Sequence, residues 1–167
     1  PEDRIEGLLE RLYGFDIDPF AVAITRGVLV AEAARLSTVQ PQDALEVLSG
    51  QIVALEGQSG SLDRTPEHPL LGRTFGCVLA NPPYLGRRKL SQEMRDLLDR
   101  EFPDCAFDLC AAFVQRAIEL LAPEGFLGLV THDKWLRLKG YRKLRNGGAT
   151  FGGVYRELEV DAVCELG

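Results

Sequence analysis

Two adjacent prolines, Pro82 and Pro83, limit this chain more than any other feature. They come one residue after the apolar run Cys77-Val78-Leu79-Ala80, which predicts the end of a buried strand. Proline donates no ladder hydrogen bond and has no place in a central strand. The chain must therefore leave its sheet at Asn81 in a stiff, extended form. That stiffness places three groups at the mouth of the sheet: the Asn81 amide, the Pro82 carbonyl and the Tyr84 ring. An amide oxygen and a carbonyl oxygen both accept hydrogen bonds. Together they suit the two hydrogens of a planar amino group, with the tyrosine stacked on the ring that carries it. Such a site holds an aromatic or amide –NH2 and draws the nitrogen lone pair out of conjugation.

The rest of the chain predicts strands alternating with helices. Ile5–Leu12 has apolar residues at helical spacing and reads as the tail of a helix. Leu12–Asp18 reads as a short strand ending in acidic residues. Asp18 then serves as N-cap and Pro19 as first residue of a helix over Phe20–Leu36. Gln51–Leu55 predicts a strand, Gly57–Leu71 a loop, and Thr74–Ala80 the strand before Asn81. Ser91–Arg100 predicts a polar helix capped by Ser91. Leu109–Leu121 predicts an apolar-faced helix stopped at Pro123-Glu124-Gly125. Phe126–Val130 follows as a buried strand, Trp135–Leu144 as a basic amphipathic segment, and Ala162–Leu166 as a final strand. This alternation implies an α/β fold with a parallel, doubly wound sheet. Ligands of such sheets bind at the carboxyl ends of strands, where Asp16, Asn81 and Thr131-His132 all fall. A carboxylate at Asp16 can accept both hydroxyls of a ribose, whereas capping accounts fully for Asp18.

The net charge of −6 has the wrong sign for a nucleic-acid partner until it is divided. Residues 1–72 hold five basic and twelve acidic side chains, and residues 73–167 hold fourteen and thirteen. Lys134–Arg145 alone carries six basic residues and no acidic one. A local basic face, rather than the global charge, governs phosphate contact; a solvated helix face explains the same charges equally well. Four cysteines, Cys77, Cys105, Cys110 and Cys164, and two histidines show no metal-ligand spacing. They read as free thiols of a reducing cytoplasm, with no metal. No stretch approaches the roughly 18 apolar residues of a membrane span, and Pro1-Glu2-Asp3-Arg4 does not open as a signal peptide.

Asn81-Pro82-Pro83-Tyr84 after an apolar strand resembles the catalytic motif of S-adenosylmethionine-dependent amino-methyltransferases, chiefly the DNA N6-adenine methyltransferases of restriction-modification and phage-defence systems. Leu12-Tyr13-Gly14-Phe15-Asp16-Ile17-Asp18-Pro19 is similar to the segment that binds the cofactor ribose in that family. The resemblance implies a Rossmann-like methyltransferase sheet and makes Asp16 the ribose ligand. Phe15 and Ile17 would pack on the cofactor adenine, with Ser61 or Asp63 as its polar contact. Asn81, Pro82 and Tyr84 would be catalytic. Pro83 and Phe107 would line the pocket for a flipped-out adenine, Phe107 being equally well explained as a core aromatic. Arg87, Arg88, Lys89, Lys134, Arg142 and Lys143 would hold phosphates of double-stranded DNA without reading sequence. Trp135 is better read as a core residue.

The family's Gly-rich segment should precede the first helix, and nothing before Ile5 supplies it. The expectation is therefore a partial catalytic domain over residues 1–167. Its first strand, its last strand and any target-recognition domain would lie in the remaining parts of a parent protein, and the chain alone would be inactive. Two other readings stay open at this stage. One is methylation of a protein glutamine or an RNA base. The other is a non-catalytic nucleic-acid-binding or specificity module.

Overall fold

A computed structural model of the chain describes residues 2–55, 60–65, 68, 70 and 72–164, which fall into two compact units, Pro1–Ser61 and Leu62–Gly167. The first unit opens with helix α1, Glu2–Leu9, and strand β1, Gly14–Asp16. Helix α2, Pro19–Leu36, starts where its sequence says it should. Asp18 is its N-cap and accepts a hydrogen bond from Phe20 N at 2.9 Å, with Pro19 in the first turn, where its missing N–H costs nothing. Helix α3, Pro41–Gln51, and strand β2, Ile52–Ala54, complete the unit. Strands β1 and β2 are parallel, Gly14 opposite Ile52 and Asp16 opposite Ala54. Val22 and Ala33 of α2, Ala44 and Leu48 of α3, and Ile52 bury themselves together. The Arg26 guanidinium closes the lower end, donating to the Ile52 and Ser49 carbonyls.

Helix α3 was not expected. Pro41 opens it and Ala44, Leu48 and Ile52 share its buried side, but exposed Leu45 and Val47 blur the helical period in the sequence. It also takes Gln51 out of the strand expected over Gln51–Leu55. The loop expected over Gly57–Leu71 contains a 3-10 turn at Gly60–Leu62; residues 56–59, 66, 67, 69 and 71 lie outside the described set.

The second unit is built on strand β3, Phe75–Ala80, paired in parallel with strand β4, Leu121–Leu129. Between them run helices α4, Gln92–Glu101, and α5, Leu109–Glu119. Ser91 caps α4 as expected, accepting from Met94 N. Asp108 caps α5, accepting from Ala111 N. Met94, Leu98 and Phe102 meet Leu109, Ala112 and Leu144 in the core. Phe102 also takes the Arg64 guanidinium over its ring at 4.4 Å.

Three expectations are corrected here. Pro123-Glu124-Gly125 does not separate α5 from a later strand: β4 begins at Leu121 and carries these residues as an irregularity. The register steps from Phe75–Leu121 to Cys77–Phe126, and Glu124 turns at φ 61° to absorb the extra residues. Trp135–Leu144 is not one amphipathic helix. Leu138 is extended and Gly140 follows, so the segment splits into α6, Lys134–Arg137, a 3-10 turn at Lys139–Tyr141, and α7, Arg142–Asn146. The final strand expected over Ala162–Leu166 is not formed at Ala162–Cys164, which follow the short helix α8, Val154–Glu157; positions 165 and 166 lie outside the described residues. Where one doubly wound sheet was expected, the described residues form two separate two-stranded parallel sheets, β1–β2 and β3–β4, a mixed arrangement compatible with an α/β methyltransferase. No helix among the described residues is long and apolar enough to cross a membrane.

Candidate active site

The carboxyl ends of β3 and β4 carry the groups that the prolines were expected to present. Ala80 is the last residue of β3, and its carbonyl accepts from Val130 N at 3.0 Å, which extends the ladder one residue past β4. Asn81 then stands exposed, Pro82 is buried beneath it, and Pro83 and Tyr84 are exposed. The Tyr84 hydroxyl lies 2.7 Å from Asn81 Oδ1 and 3.1 Å from the Val130 carbonyl, one hydrogen between two acceptors. The amide oxygen of Asn81 is therefore oriented by a side chain three residues on. A hollow of about 510 Å³ opens beside it, lined by Leu79, Ala80, Asn81, Gly128, Leu129 and Val130. A Cβ at Gly128 would come within 2.7 Å of Leu79 Cδ2, so the 77% exposed Leu79 side chain would have to turn aside.

The loop after Tyr84 is zipped to the segment that opens α5. Leu109 N donates to the Leu85 carbonyl at 2.9 Å, Arg87 N to the Phe107 carbonyl at 3.2 Å, and Gly86 bridges Asp108 in antiparallel fashion. This brings Phe107 into the same loop cluster. Phe107 is half-buried, and its ring meets Tyr141 edge-on at 4.8 Å. Behind Tyr84 lies the His132 ring, 5.9 Å away, and His132 in turn packs edge-on against Tyr141. The Tyr141 hydroxyl donates to Asp108 Oδ2 at 3.1 Å and lies 3.3 Å from His132 Nε2. Burial, reinforced by the Asp108 charge, pushes the Tyr141 hydroxyl above its ordinary range, so it stays protonated and able to donate.

Asp108, Cys110 and His132 also bring ligand-type atoms within 4.8 Å of one another. Both Asp108 oxygens already accept bonds, from Ala111 N and from Tyr141. Burial first, then the Asp108 charge, raises the Cys110 thiol to about 12. Tyr141 joins Asp108 and His132 by hydrogen bonds, while His132 Nδ1 is buried with no hydrogen-bond partner among the described residues.

The basic side chains divide into two groups. Arg87 is already paired: its guanidinium grips the exposed Asp99 through both nitrogens, at 2.8 and 2.6 Å, and donates to the Ala106 carbonyl. Lys143 is held 3.0 Å from the buried Asp104. Arg145 donates to the Trp135 and Leu138 carbonyls. The side chains of Arg88, Lys89, Lys134 and Arg142 are exposed and make no hydrogen bond or ion pair with the described residues. Trp135 is half-buried against the core and donates through Nε1 to Thr131.

In the first unit, Asp16 ends β1 with its carboxylate exposed. Its Oδ1 accepts from Asp18 N at 2.9 Å, and its own carbonyl accepts from Leu55 N. That leaves Oδ2 open to a ligand among the described residues. Phe15 is half-buried and Ile17 is 61% exposed. Gly60 lies so close to Ile17 that a Cβ there would touch it at 3.4 Å, which brings the Gly60-Ser61 turn to the same strand end. Asp63 lies in the second unit, where its carboxylate accepts from Thr65 N.

Two buried acids were given no role of their own from the sequence. Asp108 lies in the Phe107-Asp108-Leu109 segment that opens an apolar helix, and its N-cap role was legible there. Asp104 carries no local signal, because its partners are Lys143, Thr150 and Phe151, about forty residues away in sequence.

Comparison with known proteins follows the same lines. The family model described as Eco57I restriction-modification methylase matches residues 10–150. The chain is 36% identical over 76 residues to the adenine-specific methyltransferase BrxX of Escherichia coli O9:H4 (strain HS), covering 46% of this chain and 6% of that protein. It is 27% identical over 183 aligned positions to the adenine-specific methyltransferase PglX of Streptomyces coelicolor, covering 86% of this chain and 15% of that protein. It is 26% identical over 76 residues to the type II restriction enzyme and methyltransferase RM.Eco57I of Escherichia coli, covering 42% and 8%. The chain thus spans less than a fifth of each of these relatives. The match over residues 10–150 takes in both units, and the chain belongs to the Eco57I restriction-modification methylase family.

Proposed function

We propose that this chain is part of the catalytic domain of a DNA adenine methyltransferase, transferring a methyl group to the N6 amino group of an adenine flipped out of double-stranded DNA. The observation that carries the reading is the Asn81 amide oxygen, set at the carboxyl end of β3 and oriented by the Tyr84 hydroxyl at 2.7 Å. Membership of a restriction-modification methylase family supports DNA as substrate. Relatives named adenine-specific methyltransferases support adenine as the acceptor, ahead of a protein glutamine, an RNA base or a non-catalytic role. The family match across both units supports treating residues 1–167 as one partial catalytic domain with a Rossmann-like, doubly wound sheet. The four free cysteines, on a protein acting on DNA, support a cytoplasmic location.

S-adenosylmethionine, when bound, supplies the electrophilic methyl group on its sulfonium. Asn81 Oδ1 and the Pro82 carbonyl accept the two amino hydrogens and turn the nitrogen lone pair toward that methyl. The extra proton that the nitrogen would carry after accepting the methyl group would pass to solvent. Positioning and electrostatics supply the rate, with no general base required. Tyr84 stacks on the base, with Pro83 and Phe107 along the pocket. Asp16 would take the ribose hydroxyls through its open oxygen, Phe15 and Ile17 would flank the cofactor adenine, and Ser61 or Asp63 would meet its polar edge. Arg88, Lys89, Lys134 and Arg142 hold phosphates. Arg87 and Lys143, already paired with Asp99 and Asp104, support that surface and contribute charge to it.

The test is transfer of labelled methyl from S-adenosylmethionine to adenine-containing duplexes by the full-length protein, with digestion to nucleosides. Label in N6-methyladenine is expected; label in cytosine, RNA or protein alone rejects the reading. A second expected outcome concerns the cofactor. Asp16→Ala should weaken S-adenosylmethionine binding, read by calorimetry, by about 1.5–3 kcal/mol, the scale of hydrogen bonds to a charged group. The rate at saturating cofactor should fall much less. An unchanged dissociation constant would return Asp16 to a solvent-facing turn.

A further inference from the structure

We propose that Tyr141 is a positioning residue for the stacking ring: its hydroxyl, together with the Asp108 carboxylate, fixes His132, and His132 backs the Tyr84 ring on which a flipped base stacks. The inference rests on the adenine-pocket reading above.

The hydrogens of the cluster follow from the chemistry of its members. The Tyr141 hydroxyl has one, and the Asp108 carboxylate takes it at 3.1 Å. His132 Nε2 lies 3.3 Å from the same hydroxyl oxygen, so it must carry a hydrogen of its own and donate it. Asp108 Oδ1, 3.5 Å from that nitrogen, favours the same choice through its charge. Nδ1 is buried and has no hydrogen-bond partner among the described residues. The turn of the imidazole is therefore set through Nε2 alone, by Tyr141 and Asp108.

The two ends of this chain of contacts differ in how firmly they are held. Tyr141 is buried, with its ring edge-on to both Phe107 and His132. Asp108 is buried and tied down as the N-cap of α5. Tyr84 is 49% exposed, and its hydrogen bonds are both made at the hydroxyl end. Its ring meets His132 with centroids 5.9 Å apart and a tilt of 47°, within the range at which aromatic rings attract. A fixed His132 restricts how far the Tyr84 ring can swing about its hydroxyl end and leaves the exposed part of the ring open to a base. That restriction matters for transfer, because a stacked base helps only when its nitrogen is held in line with the methyl group.

The test is a double-mutant cycle in the full-length protein, Tyr141→Phe against Tyr84→Ala, read by single-turnover methyl transfer to an adenine duplex at saturating DNA and cofactor. Phenylalanine keeps a ring for the edge contacts and removes only the hydroxyl. With Tyr84 present, Tyr141→Phe should slow transfer about threefold to tenfold, the scale of one net hydrogen bond. In the Tyr84→Ala background it should change the rate by less than about twofold, because the ring it positions is gone. S-adenosylmethionine affinity, read by calorimetry, should not move. A merely structural role would slow both backgrounds by the same factor or weaken cofactor binding as well. His132→Ala in place of Tyr141→Phe should give the same pattern, and this arm decides the matter if the phenylalanine variant does not fold. Equal factors in the two backgrounds, or no slowing with Tyr84 present, overturn the inference alone as long as the wild type methylates adenine. A wild type that methylates no adenine overturns both the inference and the reading beneath it.

Discussion

Asn81→Ala is expected to lower methyl transfer to adenine about 100- to 1,000-fold, the cost of removing one preorganised electrostatic contact at a reacting centre, and to leave S-adenosylmethionine affinity unchanged. The split follows from where Asn81 sits. Its amide lies at the carboxyl end of β3, tied only to Tyr84 within the same loop. The side chain is exposed, so its removal opens no cavity, and the exposed Tyr84 hydroxyl still has the Val130 carbonyl. Folding should therefore survive. Alanine offers the amino group no side-chain acceptor, and the Pro82 carbonyl alone cannot fix the nitrogen lone pair. Labelled-methyl transfer and calorimetry on the same preparation, with a thermal melt as control, decide it. Turnover near wild type would remove Asn81 from the chemistry.

Much of this site was legible because its signals are local. Pro82-Pro83 dictates a strand end wherever it occurs after an apolar run, and β3 does end at Ala80. Asp18-Pro19 and Ser91 announce helix starts through capping chemistry, and both side chains make the expected bonds. What was not legible depends on partners far away in sequence. Arg87, Arg88 and Lys89 look equivalent as a string. Only the fold shows that Arg87 is paired with Asp99 while its two neighbours are not. Lys143 is paired in the same way with Asp104. A charge count over 134–145 treats paired and unpaired cations alike, so it overstates the basic surface left open to a partner. The bulge at Pro123–Gly125 escaped for another reason: proline and glycine mark loops in a sequence, but an irregular parallel strand can carry them where the register shifts.

Removal of Asp104 is expected to destabilise the second unit by about 2–4 kcal/mol, a buried charged acceptor lost from several donors at once. Asp104 is 2% exposed. It accepts from Thr150 N at 2.7 Å, Thr150 Oγ1 at 3.0 Å, Phe151 N at 3.2 Å and Lys143 Nζ at 3.0 Å. The chain is shaped around it: a Cβ on Gly148 would fall 2.2 Å from its carboxylate, so Gly148→Ala should share the defect. Burial by itself would raise this carboxyl. The bonds from Thr150, Lys143 and the Ala149 backbone outweigh burial and hold it below the ordinary carboxylate range. The sign of the pH effect follows. The folded pKa is depressed, so the stabilisation is complete above the unfolded value of about 3.8 and is lost as pH falls below it toward the folded pKa. Asp104→Asn keeps the size but cannot ionise. It should be less stable than wild type at pH 7, and the gap should close as pH falls through that window. Urea titrations at a series of pH values read this directly. Because Lys143 and α7 hang on the same carboxylate, the variant should also loosen the segment that presents Arg142, weakening DNA binding at a temperature where the unit is still folded. Parallel stability curves for wild type and Asp104→Asn, with no convergence at low pH, would show that the carboxylate is not what holds this loop.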